Sequence, residues 1–347
     1  MSATENRNPT EGPVVRCVDL HTAGEPFRII VDGAPETVGE TVAERRAYAL
    51  ESDEVQEFRR LVCHEPRGHA DMYGGILVEP DDDGAQIGVL FWHKDGFSTA
   101  CGHGTIALGV WAVEEGIVPP DDDGVAVVSI DVPSGRVDAR VVCDAGVPQS
   151  VIFRNVPAYV MSRDVELELG SGRVTVDISF GGAVYVSVRA ADLGLAVEPA
   201  QVDALIAAGR EIKAALKDSE LTRHPSDDRL SGVYGVMIYD ELGDDELGPR
   251  QRNVTIFADG QVDRSPCGSG TSARIALLAA EGRMAEESVF RNLSIIDGEF
   301  HGRIVEATTA DGHDALITDV EGMAYRTGSS EFVLDPRDPI GIGFVLR

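Results

Sequence analysis

Cys101-Gly102-His103-Gly104-Thr105 in the first half of the chain is matched by Cys267-Gly268-Ser269-Gly270-Thr271 in the second, 166 residues later in a chain of 347. The match extends outward on both sides. Asp95-Gly96 and Asp259-Gly260 precede the two motifs, and Glu115-Gly116 and Glu281-Gly282 follow them at the same distance. An apolar segment of helical character lies between each cysteine and its Glu-Gly pair. Agreement before, within and after the motif points to duplication of one unit. The expected organisation is a loose tail over 1–13, a first repeat over 14–155 carrying Cys101, and a second over 156–324 carrying Cys267. Residues 325–347 are a candidate to complete the first repeat.

Hydrophobic patterning places strands at 14–20 and 27–31 around a turn, 74–78, 86–92, and 125–132 with 136–142 around Pro133-Ser134-Gly135. The second half gives strands at 174–178, 183–188, 235–239, 251–258, 304–308 and 315–320, the last two finishing the β content. Helices are expected at 41–58, 105–115, 199–216 and 271–280. Strands outnumber helices and hairpin-like turns join many of them. The fold class is therefore α+β, with mostly antiparallel sheets rather than a doubly wound one.

Each motif puts a cysteine in a glycine-rich turn directly before a helix. Glycine allows close approach of backbone to a ligand. Free N–H groups and the positive end of the dipole lie at the helix start. The same place binds a carboxylate and favours a thiolate. Two such loops face to face would surround one small anion with a thiol on each side. Inverting a carbon beside a carboxylate needs a base on one face and an acid on the other, which two cysteines can supply.

Composition excludes other classes. Lys and Arg number 30 against 59 Asp and Glu, a net charge of −29 with only three lysines, so neither nucleic acid nor an anionic membrane is an expected partner. Aspartate-rich turns such as Asp81-Asp82-Asp83 read as solvated loops, and the balance suits a halophilic source. The polar N-terminus shows no secretory h-region and no apolar run is long enough to span a bilayer, so the expected location is cytoplasmic. Five scattered cysteines without a CxxC read as free thiols, with Cys17, Cys63 and Cys143 unremarkable. No cofactor is expected: there is no nucleotide fingerprint and no zinc-type cluster.

The segments Asp19-Leu20-His21-Thr22-Ala23-Gly24-Glu25-Pro26-Phe27-Arg28, Glu65-Pro66-Arg67-Gly68-His69-Ala70-Asp71-Met72, Ser98-Thr99-Ala100-Cys101-Gly102-His103-Gly104-Thr105 and Asp263-Arg264-Ser265-Pro266-Cys267-Gly268-Ser269-Gly270-Thr271 resemble the proline racemase family in order and spacing. The resemblance runs from about Val14 onward. It implies two similar domains of diaminopimelate-epimerase type related by a pseudo-two-fold axis, each a curved sheet around a central helix, and an active site between them that needs no pyridoxal phosphate. Cys101 and Cys267 would be the two acid/base groups. Gly102, His103, Asp263, Gly268 and Ser269 match substrate-contacting positions, with Asp263 receiving the ring ammonium. The partner would be a small amino acid, proline or a hydroxyproline, and a homodimer is common in the family. The family's dehydratases of trans-3-hydroxy-L-proline typically carry threonine at the second cysteine position. Cys267 thus favours a racemase or 2-epimerase. Phe97-Ser98-Thr99 and Ile106-Ala107-Leu108-Gly109 look more like the dehydratase branch, so a dehydratase, or an enzyme doing both, is the alternative. A non-catalytic binding protein, against which the two intact cysteines count, and a thiol redox protein, which would crosslink Cys101 and Cys267, are further readings.

Overall fold

The computed structural model describes residues 14–170 and 172–346; the expected tail over 1–13 lies outside the described residues. Strands β1 (Val14–Thr22) and β2 (Glu25–Asp32) form a hairpin over Ala23-Gly24, the turn expected from sequence. Helices α1 (Val42–Glu51) and α2 (Asp53–Cys63) carry the chain across to β3 (Tyr73–Val78), which lies parallel to β2. β4 (Ile87–His93) runs back and turns into the short β5 (Gly96–Phe97). Helix α3 (Gly102–Glu114) then crosses to β6 (Val125–Val132), parallel to β4, and β7 (Gly135–Asp144) and β8 (Val147–Arg154) meander on.

The second half repeats this order. It comprises β9 (Ala158–Leu169), β10 (Gly172–Phe180), β11 (Val184–Arg189), α4 (Val202–Ala215), β12 (Val233–Asp244), β13 (Pro249–Phe257), β14 (Gln261–Asp263), α5 (Gly268–Ala280), β15 (Phe290–Ser294), β16 (Glu299–Ala310) and β17 (His313–Gly322). A last strand, β18 (Ala324–Val333), returns to pair with β1. The ladder β18-β1-β2-β3-β4-β6-β7-β8 has the same sequence of parallel and antiparallel pairings as β9-β10-β11-β12-β13-β15-β16-β17. The four parallel pairs, two in each ladder, are each spanned by a helical crossover. Strand β17 pairs with β9 at one end and with β8 at the other, which sews the two ladders into one mixed sheet.

Four expectations are corrected. The single helix over 41–58 is two helices, because Ser52 adopts extended backbone at ψ 115° and its hydroxyl accepts the Val55 N–H to start α2. The helices expected at 105 and 271 begin three residues earlier, on the glycines after the cysteines. Strands β8, β9 and β15 were not legible as strands. The β content does not finish near residue 320: β18 follows, with most of its side chains exposed.

Helix α3 is buried from Gly102 to Val113 and α5 from Gly268 to Leu278, each against the strands of its own ladder. Apolar residues on all sides of both helices fit that position. Gly109 lets α3 approach β7: a Cβ there would lie 2.7 Å from the Ala139 Cβ and 3.2 Å from Val141 Cγ2. Gly109→Ala should therefore lower stability by about 1–3 kcal/mol, despite alanine's better helix propensity. A urea midpoint unchanged or raised in that variant would contradict the packing described.

Candidate active site

Helices α3 and α5 meet head to head. A Cβ on Gly102 would lie 2.6 Å from the Gly268 Cα, and one on Gly268 would lie 2.7 Å from the Gly102 Cα. Only glycine on both sides permits that contact. The preceding residues, Cys101 and Cys267, are the N-caps of the two helices. The third residue after each cysteine is glycine for a second reason. A Cβ on Gly104 would sit 2.8 Å from the Cys101 Sγ, and one on Gly270 would sit 2.9 Å from the Cys267 Sγ. The Gly104 N–H instead donates to the Cys101 Sγ at 3.2 Å.

The seven residues expected from sequence are thus brought together. Cys101, Gly102 and His103 open α3, Cys267, Gly268 and Ser269 open α5, and Asp263 ends β14 beside them. All are buried; the two thiols are each 6% exposed. Two positive helix ends converge here, an arrangement stabilised by an anion placed between them. The Ser269 hydroxyl is buried without a hydrogen-bond partner among the described residues.

The two sides differ in detail. Cys101 has extended backbone, whereas Cys267 sits at φ 67°, a conformation that costs a non-glycine residue about 1–3 kcal/mol. The His103 ring lies 3.4 Å from the Cys101 Sγ through Nδ1, and burial pushes it down to about 3, so it is a neutral imidazole. The Tyr185 hydroxyl lies 3.7 Å from the Cys267 Sγ. Burial raises both thiols above the usual cysteine value, and the neighbouring carboxyl of Asp263 raises each further. The Gly104 N–H opposes the shift at Cys101. Burial likewise pushes the Asp263 carboxyl up, against hydrogen bonds from the Ser265 N–H (2.8 Å) and Oγ (2.7 Å).

Sequence reasoning missed the aromatic residues packed around these groups. Tyr73 hydrogen-bonds Ser98 and, at 2.9 Å, Tyr234, joining the two halves of the chain. The Tyr73 ring meets the His103 ring edge-on at 5.0 Å. Tyr73, Tyr185 and Tyr234 are spread over three strands, so no local pattern marks them. Glu25 also reaches the site; it stood inside a quoted motif, but nothing in its neighbours gave it a task. His93 packs behind two of these tyrosines, its ring 5.8 Å from that of Tyr73 and 6.4 Å from that of Tyr234, whereas other histidines and cysteines have local roles. His21 accepts the Gly24 N–H in its own turn, His69 is exposed, and burial leaves Cys17 and Cys63 as thiols raised to about 11 and about 12. Among the described residues there is no cluster of three metal-ligating side chains and no helix long and apolar enough to cross a membrane.

Two buried cysteines thus stand at converging helix ends, one from each of two ladders with the same order of pairings. The sequence model of the proline racemase family matches residues 17–345, and this chain belongs to that family. It is 42% identical over 329 residues to a trans-3-hydroxy-L-proline dehydratase of Bacillus cereus, covering 95% of this chain and 97% of that one. It is also 42% identical over 333 residues to a 3-hydroxyproline 2-epimerase of Burkholderia multivorans, with the same coverage. Among solved structures, a hydroxyproline epimerase from Agrobacterium vitis with bound trans-4-hydroxy-L-proline superposes with a TM-score of 0.88 at 30% identity, covering 96% of both chains.

The raised Asp263 carboxyl carries a stability cost with a definite sign. Its folded pKa lies above the unfolded one, so the folded protein binds the proton more tightly and gains stability as pH falls through the folded value. Asp263→Asn should raise the melting temperature of the ligand-free protein by a few degrees at pH 8, and the gain should vanish near pH 4. A variant less stable than the parent at pH 8 would refute this reading.

Proposed function

We propose that this enzyme removes the Cα proton of trans-3-hydroxy-L-proline and expels the 3-hydroxyl as its main reaction, with 2-epimerisation as a side outcome. What supports the substrate is that relatives of equal identity bear the names of two reactions on one ring, 3-hydroxyproline dehydration and 3-hydroxyproline 2-epimerisation. Further relatives of 40–42% identity bear the dehydratase name, which supports the dehydratase reading over the racemase or epimerase reading drawn from Cys267. The chain is then two copies of one unit, 14–155 completed by 325–347 and 156–324, and its substrate lies between them.

On this reading the substrate carboxylate takes the converging N–H groups of Gly102, His103, Gly268 and Ser269 together with the Ser269 hydroxyl. Asp263 takes the ring ammonium. The Cys101 thiolate removes the Cα proton, and the electron pair moves into the carboxylate, whose charge the two helix ends stabilise. In trans-3-hydroxy-L-proline the Cα–H and the 3-hydroxyl lie on the same ring face. The thiol formed at Cys101 therefore faces the leaving group and returns the proton to it. The C–O bond breaks, water departs, and the enamine tautomerises to 1-pyrroline-2-carboxylate. Cys267 approaches from the opposite face. When its thiol protonates Cα before the hydroxyl leaves, the product is the 2-epimer. The buried tyrosines and His103 keep water from the carbanion.

The test is turnover of trans-3-hydroxy-L-proline in D2O followed by NMR, beside L-proline and trans-4-hydroxy-L-proline. The expected product is pyrroline-2-carboxylate. Cys101→Ser should lower all turnover by about 10²–10⁴-fold. Cys267→Ser should suppress the epimer and leave dehydration within about tenfold. Neither dehydration nor Cα exchange on the 3-hydroxy substrate, with exchange on one of the others, would sink the assignment. Because burial holds the Cys101 thiol well above the usual cysteine value, kcat/KM should rise with pH between 7 and 9, by up to about tenfold per unit. A flat profile would rule out a base that is a raised, protonated thiol in the free enzyme.

A further inference from the structure

The β1–β2 turn and the β10–β11 turn each press on the segment ahead of the opposite cysteine. On one side Thr99 Oγ1 donates to the Gly182 carbonyl at 3.0 Å. On the other, Glu25 Oε2 accepts the Arg264 N–H at 2.7 Å, across the two halves of the chain. The β10–β11 turn, Gly181-Gly182-Ala183, has no ionisable side chain. Glu25 is thus a carboxyl on one side of the site only.

Its surroundings are short of positive charge. Glu25 is fully buried, and its Oε1 has no hydrogen-bond partner among the described residues. It is faced by Asp263 at the end of β14, by Asp71 ahead of β3 and by Arg264. Cys101 at the start of α3 feels it as well, with His103 neutral beside that thiol and Cys267 beyond it on α5. The Arg264 guanidinium is bonded to Asp71 Oδ2 at 2.8 Å and to the Val262 carbonyl at 2.7 Å. Two carboxyls, Glu25 and Asp263, therefore share an interior that must also hold a thiolate. Burial and the charge of Asp263 push Glu25 well above the usual carboxylate range.

We infer that Glu25 is a positioning residue held as a neutral carboxylic acid, fixing the Asp263–Arg264 segment through Oε2 while a proton sits on Oε1. Asp263 is then left as the single carboxylate matched to a single ring ammonium. A second buried negative charge would have no partner and would oppose formation of the thiolate. A carboxyl kept neutral by its surroundings can serve as a hydrogen-bonding group at neutral pH. The inference rests on Asp263 as the ammonium partner and is indifferent to which ring hydroxyl the substrate bears.

The test is infrared spectroscopy of the ligand-free full-length protein in D2O at pH 7.5. A protonated-carboxyl C=O band should be present in the parent and in Asp263→Asn, and absent from Glu25→Gln. Glu25→Gln, which mimics the neutral acid, should retain kcat/KM within about threefold, whereas Glu25→Ala strands the Arg264 N–H and should raise KM by about tenfold or more. A parent spectrum without that band, or a glutamine variant as impaired as the alanine one, overturns the inference. Should Glu25→Gln fail to fold, 13C-glutamate labelling of the parent decides it: a glutamate carboxyl still protonated at pH 7.5 supports the inference, and none overturns it. The band is read without substrate. Its loss with turnover intact removes only the role of Glu25, and its presence with no exchange on any proline removes only the proposed reaction.

Discussion

The backbone contact between Gly102 and Gly268 is the constraint on which the site depends. Two helices can meet end to end this closely only if neither carries a Cβ at the point of contact. That contact fixes the separation of the N-caps, and so of the two thiols. It also makes both helix ends point at one small volume. Bringing like partial charges together has a cost that an anion placed between them would offset. The Cys-Gly-X-Gly spacing then follows: the first glycine meets its counterpart and the second makes room for sulfur.

Around that shared point the two halves diverge. Phe97 stands where the second half has Asp263, 166 residues on, and Ser269 stands where the first has His103. The ladder is doubled but the polarity is not. Carboxyls collect on one side, Glu25 from the first half and Asp263 from the second. This is what a site needs if it must treat the two ring faces alike for proton transfer and still hold an asymmetric ring in one orientation. The burial of those carboxyls and the backbone of Cys267 at φ 67° lower stability, a cost of the kind functional sites impose.

Much of this was legible in the sequence for a physical reason. A cysteine flanked by glycines before an apolar helix is a local pattern, and its second occurrence removed most of the ambiguity. The strands that sequence reading missed are those whose partners rather than residues define them. β18 buries little beyond Ala324, and the outer half of β9 alternates around Arg163, Asp164, Glu166 and Glu168, so neither presents a clear apolar face. The break at Ser52 depends on one hydroxyl choosing the Val55 N–H over solvent. The tyrosines and Glu25 gain their place only when the halves meet, and no window of sequence spans that meeting.

The closing strand has a consequence for how the molecule comes into being. Val14 pairs with Val333, more than three hundred residues away, while the second ladder is assembled from consecutive strands between β9 and β17. As the polypeptide emerges during synthesis, the later ladder can zip up from neighbours, but the earlier one waits with an open edge on β1 until β18 has been made. The half made first is the half finished last, and the pairing that completes it sets Val14 beside Val333.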